Sequence, residues 1–248
     1  DVGPAAGYRP FDMIWPYNNR HLQLGIYESI LRFDKDLTLA PQLASSWELK
    51  PDSVVLKIRR GVKWHEPAAG ELTAQDVVFT LEDGRKEGNK KLGEVITPFY
   101  GAITAVDDFT VRMEIKLPHV RWMSTLTTLL DGNAPISSKR LFDLLGPEKY
   151  NITANGTGPF KVKQWLPDEL LILERNSDYY RQPSSLNYIV FRLFAGIPMM
   201  MYESGDIAVV EIDPLLRIVE LPVEVVDPVR VEVGSAADQP IDFIALVK

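Results

Sequence analysis

The sequence predicts a fold that mixes α/β and α+β architecture and divides into more than one domain. Three observations lead to this prediction. The first part of the chain carries a helical apolar pattern, the middle part alternates strands with helices, and the part from residue 155 onward is rich in strand patterns. A length of 248 residues, 46% of them apolar, is enough for one large domain or two smaller ones.

The first predicted element is a helix over residues 19–32, which charged residues 34–36 end. Its apolar side chains recur every four positions, as on one face of a helix: Leu22, Ile26, Ile30. A β-hairpin follows, with strands at 47–49 and 54–58 joined by a turn at Pro51-Asp52. This order predicts a packed helix beside a hairpin.

The middle of the chain predicts further helices and one strand. Thr73 stands three residues before Asp76 at the start of "TAQDVVFTLEDG", a spacing typical of a capped helix start. That helix would bury three aliphatic side chains: Val77, Val78, Leu81. A strand follows the turn at Asp107-Asp108, with Val111, Met113 and Ile115 on one face. Helical patterns cover residues 122–130 and 137–145.

Strands dominate the last part, with a short helix at 198–204. They are predicted at residues 159–165, 170–175, 187–194, 207–212, 223–226 and 229–233. The glycine-rich start of this part, Gly156-Thr157-Gly158, invites a phosphate-loop interpretation. Pro159 lacks an N–H group, however, and strand alternation follows where a phosphate loop needs a helix. A tight turn opening a β-hairpin is therefore the favoured interpretation.

Composition argues against several classes of function. With 34 acidic and 27 basic residues the net charge is −7, so we expect no nucleic acid as partner. The chain has no cysteine, and its three histidines have no metal-ligand spacing, so we expect no metal site, no cofactor and no catalytic residues. No segment reads as a membrane span or a signal peptide, which leaves a cytosolic chain or a removed targeting segment as alternatives.

Four ordered motifs resemble the extracellular solute-binding proteins of family 5, which serve ABC importers of oligopeptides, dipeptides and nickel. They are "IYESILRFDKDLTLAPQLASSWEL", "LKIRRGVKWHEPAAGELTAQDVVFTLED", "NGTGPFKVKQWLPDELLILERNSDYY" and "YESGDIAVVEIDP". The second motif departs from the family pattern, because Glu66-Pro67 replaces its usual Asp-Gly pair. The chain is identified as a member of this family, with a periplasmic binding protein type II-like fold.

The resemblance implies domain boundaries. Domain I would comprise residues 1–40 and 152–248, and domain II, an α+β unit, would comprise residues 41–151. The chain ends at "IDFIALVK", similar to the strand that precedes domain III in the family. We therefore expect domains I and II only, in a fragment or a natural short form. An exposed apolar cleft face would then favour self-association.

The resemblance also implies the ligand site. The loop "IWPYNN" would lie along the cleft, where the backbone of Pro16 and Asn18 can pair with an extended ligand. Trp15 and Tyr17 would add flat apolar surface. Tyr100 and Phe243 are further candidates. For Trp15 the alternative is a ring buried under the following helix, and for Phe243 it is packing in the core.

The implied function is transport. The chain would bind a peptide or similar small solute between domains and deliver it to an ABC permease in the membrane, with no chemistry of its own. The implied location is periplasmic or extracellular, at the membrane through this partner or a removed lipid anchor. The alternatives are an interaction module derived from the binding fold, and an enzyme whose pocket the sequence does not reveal.

Overall fold

The computed structural model describes residues 25–85, 96–117, 122–127, 135–166, 170–192 and 245–247. By their contacts these residues group into two units. The first unit holds the described residues up to Pro159 together with the short segment Asp178–Gln182. The second unit holds Phe160–Ser177 and the described residues from Pro183 onward. The domain boundaries predicted from the sequence stay a prediction.

An antiparallel four-stranded sheet lies at the centre of the first unit. Its strands are β3 (Ala44–Leu49), β4 (Ser53–Ile58), β5 (Tyr100–Asp107) and β6 (Thr110–Ile115), in the spatial order β3-β4-β6-β5. The predicted hairpin is confirmed, with Leu49 opposite Val54 across the Pro51-Asp52 turn. Strand alternation brings the predicted apolar side chains to the buried face: Val54, Leu56, Ile58, Val111, Met113.

The helix predicted over residues 19–32 is wrong in its last part. Gly25 and Ile26 are helical, but the chain leaves the helix at Tyr27. A hairpin of β1 (Leu31–Phe33) and β2 (Leu39–Pro41) follows. Residues 34–36, taken as the helix end, lie in its turn, where the carboxylate of Asp34 accepts the N–H groups of Asp36 and Thr38 at 3.0 and 2.9 Å.

The helix predicted to begin after Thr73 is confirmed as α1 (Ala74–Asp83). The N–H of Thr73 donates to one oxygen of the Asp76 carboxylate at 2.8 Å. The other oxygen accepts the N–H of Lys139 at 2.8 Å, at the first residue of α2 (Lys139–Asn151). One buried carboxylate thus caps the starts of two helices, and this burial raises the pKa of Asp76.

The other helical predictions have mixed outcomes. The pattern over residues 137–145 is confirmed by α2, which bends at Gly146, a residue with a φ of 73°. Of the pattern over 122–130, Trp122–Leu126 form a 3₁₀ helix, and residues 128–130 lie outside the described residues.

The second unit contains a mixed four-stranded sheet. Its strands are β7 (Phe160–Leu166), β8 (Leu170–Arg175), β9 (Tyr188–Arg192) and β10 (Ala245–Val247). β7, β8 and β9 are consecutive antiparallel neighbours, and β10 joins β9 in parallel. The predicted strands at 159–165 and 170–175 are therefore confirmed, and so is the described part of the one at 187–194, whose residues 193–194 lie outside the described residues. Predictions for 198–204, 207–212, 223–226 and 229–233 fall outside the described residues.

Candidate functional site

Of the six predicted ligand-binding residues, the structure describes one, Tyr100. Trp15, Pro16, Tyr17, Asn18 and Phe243 lie outside the described residues. Tyr100 begins β5, and its side chain is fully buried in the core of the first unit. Its hydroxyl accepts a hydrogen bond from the hydroxyl of Thr125 at 3.4 Å, and burial raises its pKa. The ring thus packs inside the unit, and contact between Tyr100 and a ligand stays a prediction.

A buried carboxylate connects three distant parts of the first unit. The side chain of Glu28 is buried, and its Oε1 accepts the hydroxyl protons of Tyr179 at 2.9 Å and Tyr180 at 3.0 Å. The same oxygen accepts the Gln42 amide at 3.2 Å, and Oε2 accepts the hydroxyl of Thr157 at 2.9 Å. We call these five residues the Glu28 cluster. Its four donors surround one carboxylate.

Burial governs the electrostatics of this cluster. Loss of water raises the pKa of the Glu28 carboxyl, and the four hydrogen bonds oppose that rise. Burial also raises the pKa of both tyrosine hydroxyls, with a further rise from the charge of Glu28. The guanidinium groups of Arg59 and Arg181 lie 5.2 and 5.6 Å from the centre of the Tyr180 ring. Because burial and Glu28 raise their pKa values, both tyrosines stay protonated and act as hydrogen-bond donors.

The segment Asp178–Gln182 contacts the rest of the first unit through several of its residues. Besides the two tyrosines, Arg181 donates to the backbone carbonyl of Pro41 at 2.7 Å. Asp178 pairs with Lys63 at 3.6 Å, although both side chains are exposed and the pair adds little stability. The end of the third quoted motif, "NSDYY", thus holds the start of the first one in place.

The Gly156-Thr157-Gly158 turn packs against backbone. A Cβ atom at Gly156 would overlap the carbonyl oxygen of Ile26, and one at Gly158 would lie 2.6 Å from the carbonyl oxygen of Gly25. The N–H of Gly158 donates to the Ile26 carbonyl at 2.9 Å. Close approach of two chains therefore requires these glycines. β7 follows directly, which confirms the predicted turn and hairpin.

A loop around His65 contacts the opposite side of the same turn. The N–H of His65 donates to the Gly156 carbonyl at 2.9 Å, and the N–H of Glu66 donates to the side-chain oxygen of Asn155 at 2.9 Å. The imidazole contacts the carbonyl of Gly158 through Nε2 at 2.9 Å, and its Nδ1 accepts the N–H of Gly156 at 3.3 Å. The turn is thus held from two sides.

This arrangement is suited to holding a scaffold in place. Every oxygen of Glu28 has donors, so the carboxylate is positioned and not free to act as a base. Within the described ranges, no group of three or more His, Asp or Glu residues could hold a metal ion. A shallow groove of about 540 Å³ beside β4 and β6 carries charges of both signs: Lys57, Arg59, Arg60, Asp107, Asp108. It therefore favours neither anions nor cations.

Sequence reasoning did not single out the Glu28 cluster. Glu28 lies inside "YES", within the residues predicted as a helix. The available signal was a lone acidic residue in an otherwise uncharged stretch, "IYESIL", of which the structure buries every residue.

Comparison with known proteins identifies the family. The family model described as bacterial extracellular solute-binding proteins, family 5 Middle, matches residues 38–221. A putative ABC transporter peptide-binding protein of Brucella ovis is 25% identical over 244 residues, covering 89% of this chain and 44% of the relative. The chain thus spans less than half the length of this curated relative. Among the described residues, no helix is long and apolar enough to cross a membrane.

Solved structures show the same fold. The ABC transporter-associated periplasmic binding protein DppA of Helicobacter pylori, in complex with the peptide STSA, matches with a TM-score of 0.67 and 25% identity, over 82% of this chain and 44% of that one. The binding protein MoaA of A. tumefaciens R10, in complex with mannopinic acid, matches with a TM-score of 0.68 and 25% identity, over 84% and 43%. The predicted fold class is confirmed. With the family model matching most of its length, the chain belongs to the bacterial extracellular solute-binding proteins of family 5.

Proposed function

We propose that this chain is a solute-binding component of an ABC importer. It binds a small solute, a peptide in the first instance, in a cleft between domains and delivers it to a permease in the membrane. The observation that carries the proposal is the family match over residues 38–221. The peptide complex of the Helicobacter pylori relative, with a TM-score of 0.67, supports the choice of solute.

We propose that the loop "IWPYNN", which precedes the first described residues, lines the ligand-binding side of the cleft. Trp15 and Tyr17 supply aromatic surface, and the backbone of Pro16 and Asn18 pairs with an extended ligand. This is consistent with the placement of the Glu28 cluster, which fixes the segment that follows the loop along the chain. Tyr100 and Phe243 complete the proposed set.

The proposal includes transport and no reaction. The family is one of solute-binding proteins, and the buried carboxylate of Glu28 is occupied by its own hydrogen bonds. The protein is proposed to act in the periplasm or outside the cell. It would stay at the membrane through its permease or a lipid anchor.

Native mass spectrometry of the protein purified from its own host tests the proposal. A carried ligand is expected as a discrete added mass, and its fragmentation should give a peptide. Titration with di- to tetrapeptides, followed by tryptophan emission, should then show saturable quenching with no product formed. A carried sugar-derived acid would replace the peptide in the proposal, as in the mannopinic acid complex of MoaA. Turnover of the bound molecule would overturn the transport assignment.

A further inference from the structure

We propose that His65 is a pH-sensitive clamp on the turn at residues 155–158. The neutral imidazole accepts the N–H of Gly156, and the imidazolium gives up that hydrogen bond while the other contacts on its side remain. The inference goes beyond the proposed function and does not depend on it, because it concerns the turn itself.

The two hydrogen bonds of the imidazole determine which ring nitrogen carries the hydrogen. Nε2 lies 2.9 Å from the carbonyl oxygen of Gly158, which can only accept, so Nε2 carries the hydrogen. Nδ1 faces the N–H of Gly156 at 3.3 Å, which can only donate, so Nδ1 presents its lone pair. Both contacts are satisfied by the neutral Nε2–H tautomer alone.

Protonation removes the acceptor. In the imidazolium both ring nitrogens carry hydrogen, so the Nδ1–H group points at the Gly156 N–H group and that hydrogen bond is lost. Two neighbouring bonds are unaffected, because they use backbone N–H groups: His65 to the Gly156 carbonyl and Glu66 to Asn155. The release is therefore local and does not unfold the unit.

Three segments bring charged groups to the surroundings of the turn. The loop of His65 itself carries Lys63 and Glu66. The segment Asp178–Gln182 brings Asp178, which pairs with Lys63 at 3.6 Å. On the far side of the turn Glu28 reaches Thr157 at 2.9 Å. An ordinary imidazole changes its charge between about pH 5 and 8.

The two sides of the turn respond differently to mild acid. On the Glu28 side the hydroxyl of Thr157 and the N–H of Gly158, which donates to Ile26 at 2.9 Å, hold the turn without an imidazole. Loss of the Nδ1 contact thus removes the acceptor of the Gly156 N–H, while the Gly156 carbonyl and Gly158 stay bound.

Amide hydrogen exchange, read residue by residue by NMR, tests the proposal. After correction for the intrinsic rate, the Gly156 amide of the wild type should exchange about tenfold faster at pH 5.5 than at pH 7.5, the effect of losing roughly one hydrogen bond. His65→Gln keeps one donor and one acceptor without titrating, and should exchange equally at both pH values. His65→Ala should exchange fast at both. Amides of the β4 strand serve as the internal control.

Two results would overturn the inference. One is equal protection of Gly156 in the wild type at both pH values. The other is the same pH response in His65→Gln as in the wild type, which would place the titrating group elsewhere. The ring nitrogen shifts of His65 provide a second readout that needs no variant: above the transition they should report the Nε2–H tautomer, and the Nδ1–H tautomer would also refute the clamp.

Discussion

The hydroxyl of Tyr179 donates a hydrogen bond of 2.9 Å to the carboxylate of Glu28, although 151 positions separate the two residues in the sequence. The bond is one of four on that carboxylate. Its removal in Tyr179→Phe should lower the free energy of unfolding by about 1 kcal/mol. Glu28→Ala should lower it by about 3 kcal/mol, because it leaves several buried donors without an acceptor. Urea unfolding monitored by circular dichroism measures both.

Tyr188→Phe is the matched control for Tyr179→Phe. The Tyr188 hydroxyl accepts the Lys163 ammonium at 3.1 Å in an exposed position of the second unit. Its loss should change the free energy of unfolding by less than about 0.5 kcal/mol. Equal effects of the two substitutions would show that the Glu28 cluster has no special weight in stability.

The raised pKa of Glu28 predicts a pH dependence of stability. A carboxyl whose pKa is higher in the folded than in the unfolded protein binds its proton more tightly when folded. Its contribution to stability is greatest below the ordinary value of 4.5 and falls as the pH rises through the folded pKa. Glu28→Gln cannot titrate, so the stability difference, wild type minus variant, should decline as the pH rises above the ordinary carboxyl value of 4.5.

Urea unfolding at several pH values in that range gives this difference directly. Other titrating groups cancel in it, since both proteins share them. A constant offset would show only that the amide packs differently from the carboxylate. A difference that grows with pH would contradict the predicted direction of the pKa shift.

Gly156→Ala should disrupt the first unit. A Cβ atom at this position would overlap the Ile26 carbonyl, so backbone must move, and we expect a loss of more than about 3 kcal/mol. Gly61→Ala provides the contrast. Gly61 has a φ of 76° with no atom near its Cβ position, so the cost there is backbone strain alone, about 1–2 kcal/mol. Thermal unfolding of both variants separates overlap from strain, and the reverse order would refute the close approach.

Tyr17→Ala should weaken solute binding by about 1–2 kcal/mol and leave thermal stability almost unchanged. The reason is that Tyr17 is proposed to supply contact surface to the ligand. Tyr100→Ala should instead lower the free energy of unfolding by about 3–5 kcal/mol, because a fully buried ring is lost from the core. Calorimetric titration with the carried ligand and a melting curve measure the pair. Normal affinity with a large stability loss in Tyr17→Ala would place that residue in the core.

The sequence patterns predicted the elements that depend on interactions between residues close together in the chain. The β3–β4 hairpin has alternating Val54, Leu56 and Ile58 and a Pro-Asp turn, and the Thr73–Asp76 spacing marks a helix start within four residues. β5 was not predicted. Its sequence "YGAITAVD" contains three small residues, Gly101, Ala102 and Ala105, and its strand form depends on β6 across the turn.

The predicted helix over 19–32 fails for a related reason. Ile26 and Ile30 lie four apart, but Glu28 and Ser29 between them are buried too, so the burial does not follow one helical face. The Glu28 cluster was also beyond local patterns. Thr157 and Tyr179 lie 129 and 151 positions from Glu28, and no periodicity links residues at such distances. The prediction of the ligand-binding residues rests on their residue types and on the family resemblance.

The separation of the Glu28 partners along the chain has a consequence for biosynthesis. A ribosome adds about 5–20 residues per second, so on the order of ten seconds pass between the synthesis of Glu28 and that of Tyr179. During that interval the carboxylate lacks both tyrosine donors and stays hydrated, because burying it alone would be costly. The segment around Glu28 therefore reaches its final packing late, after most of the first unit has been translated.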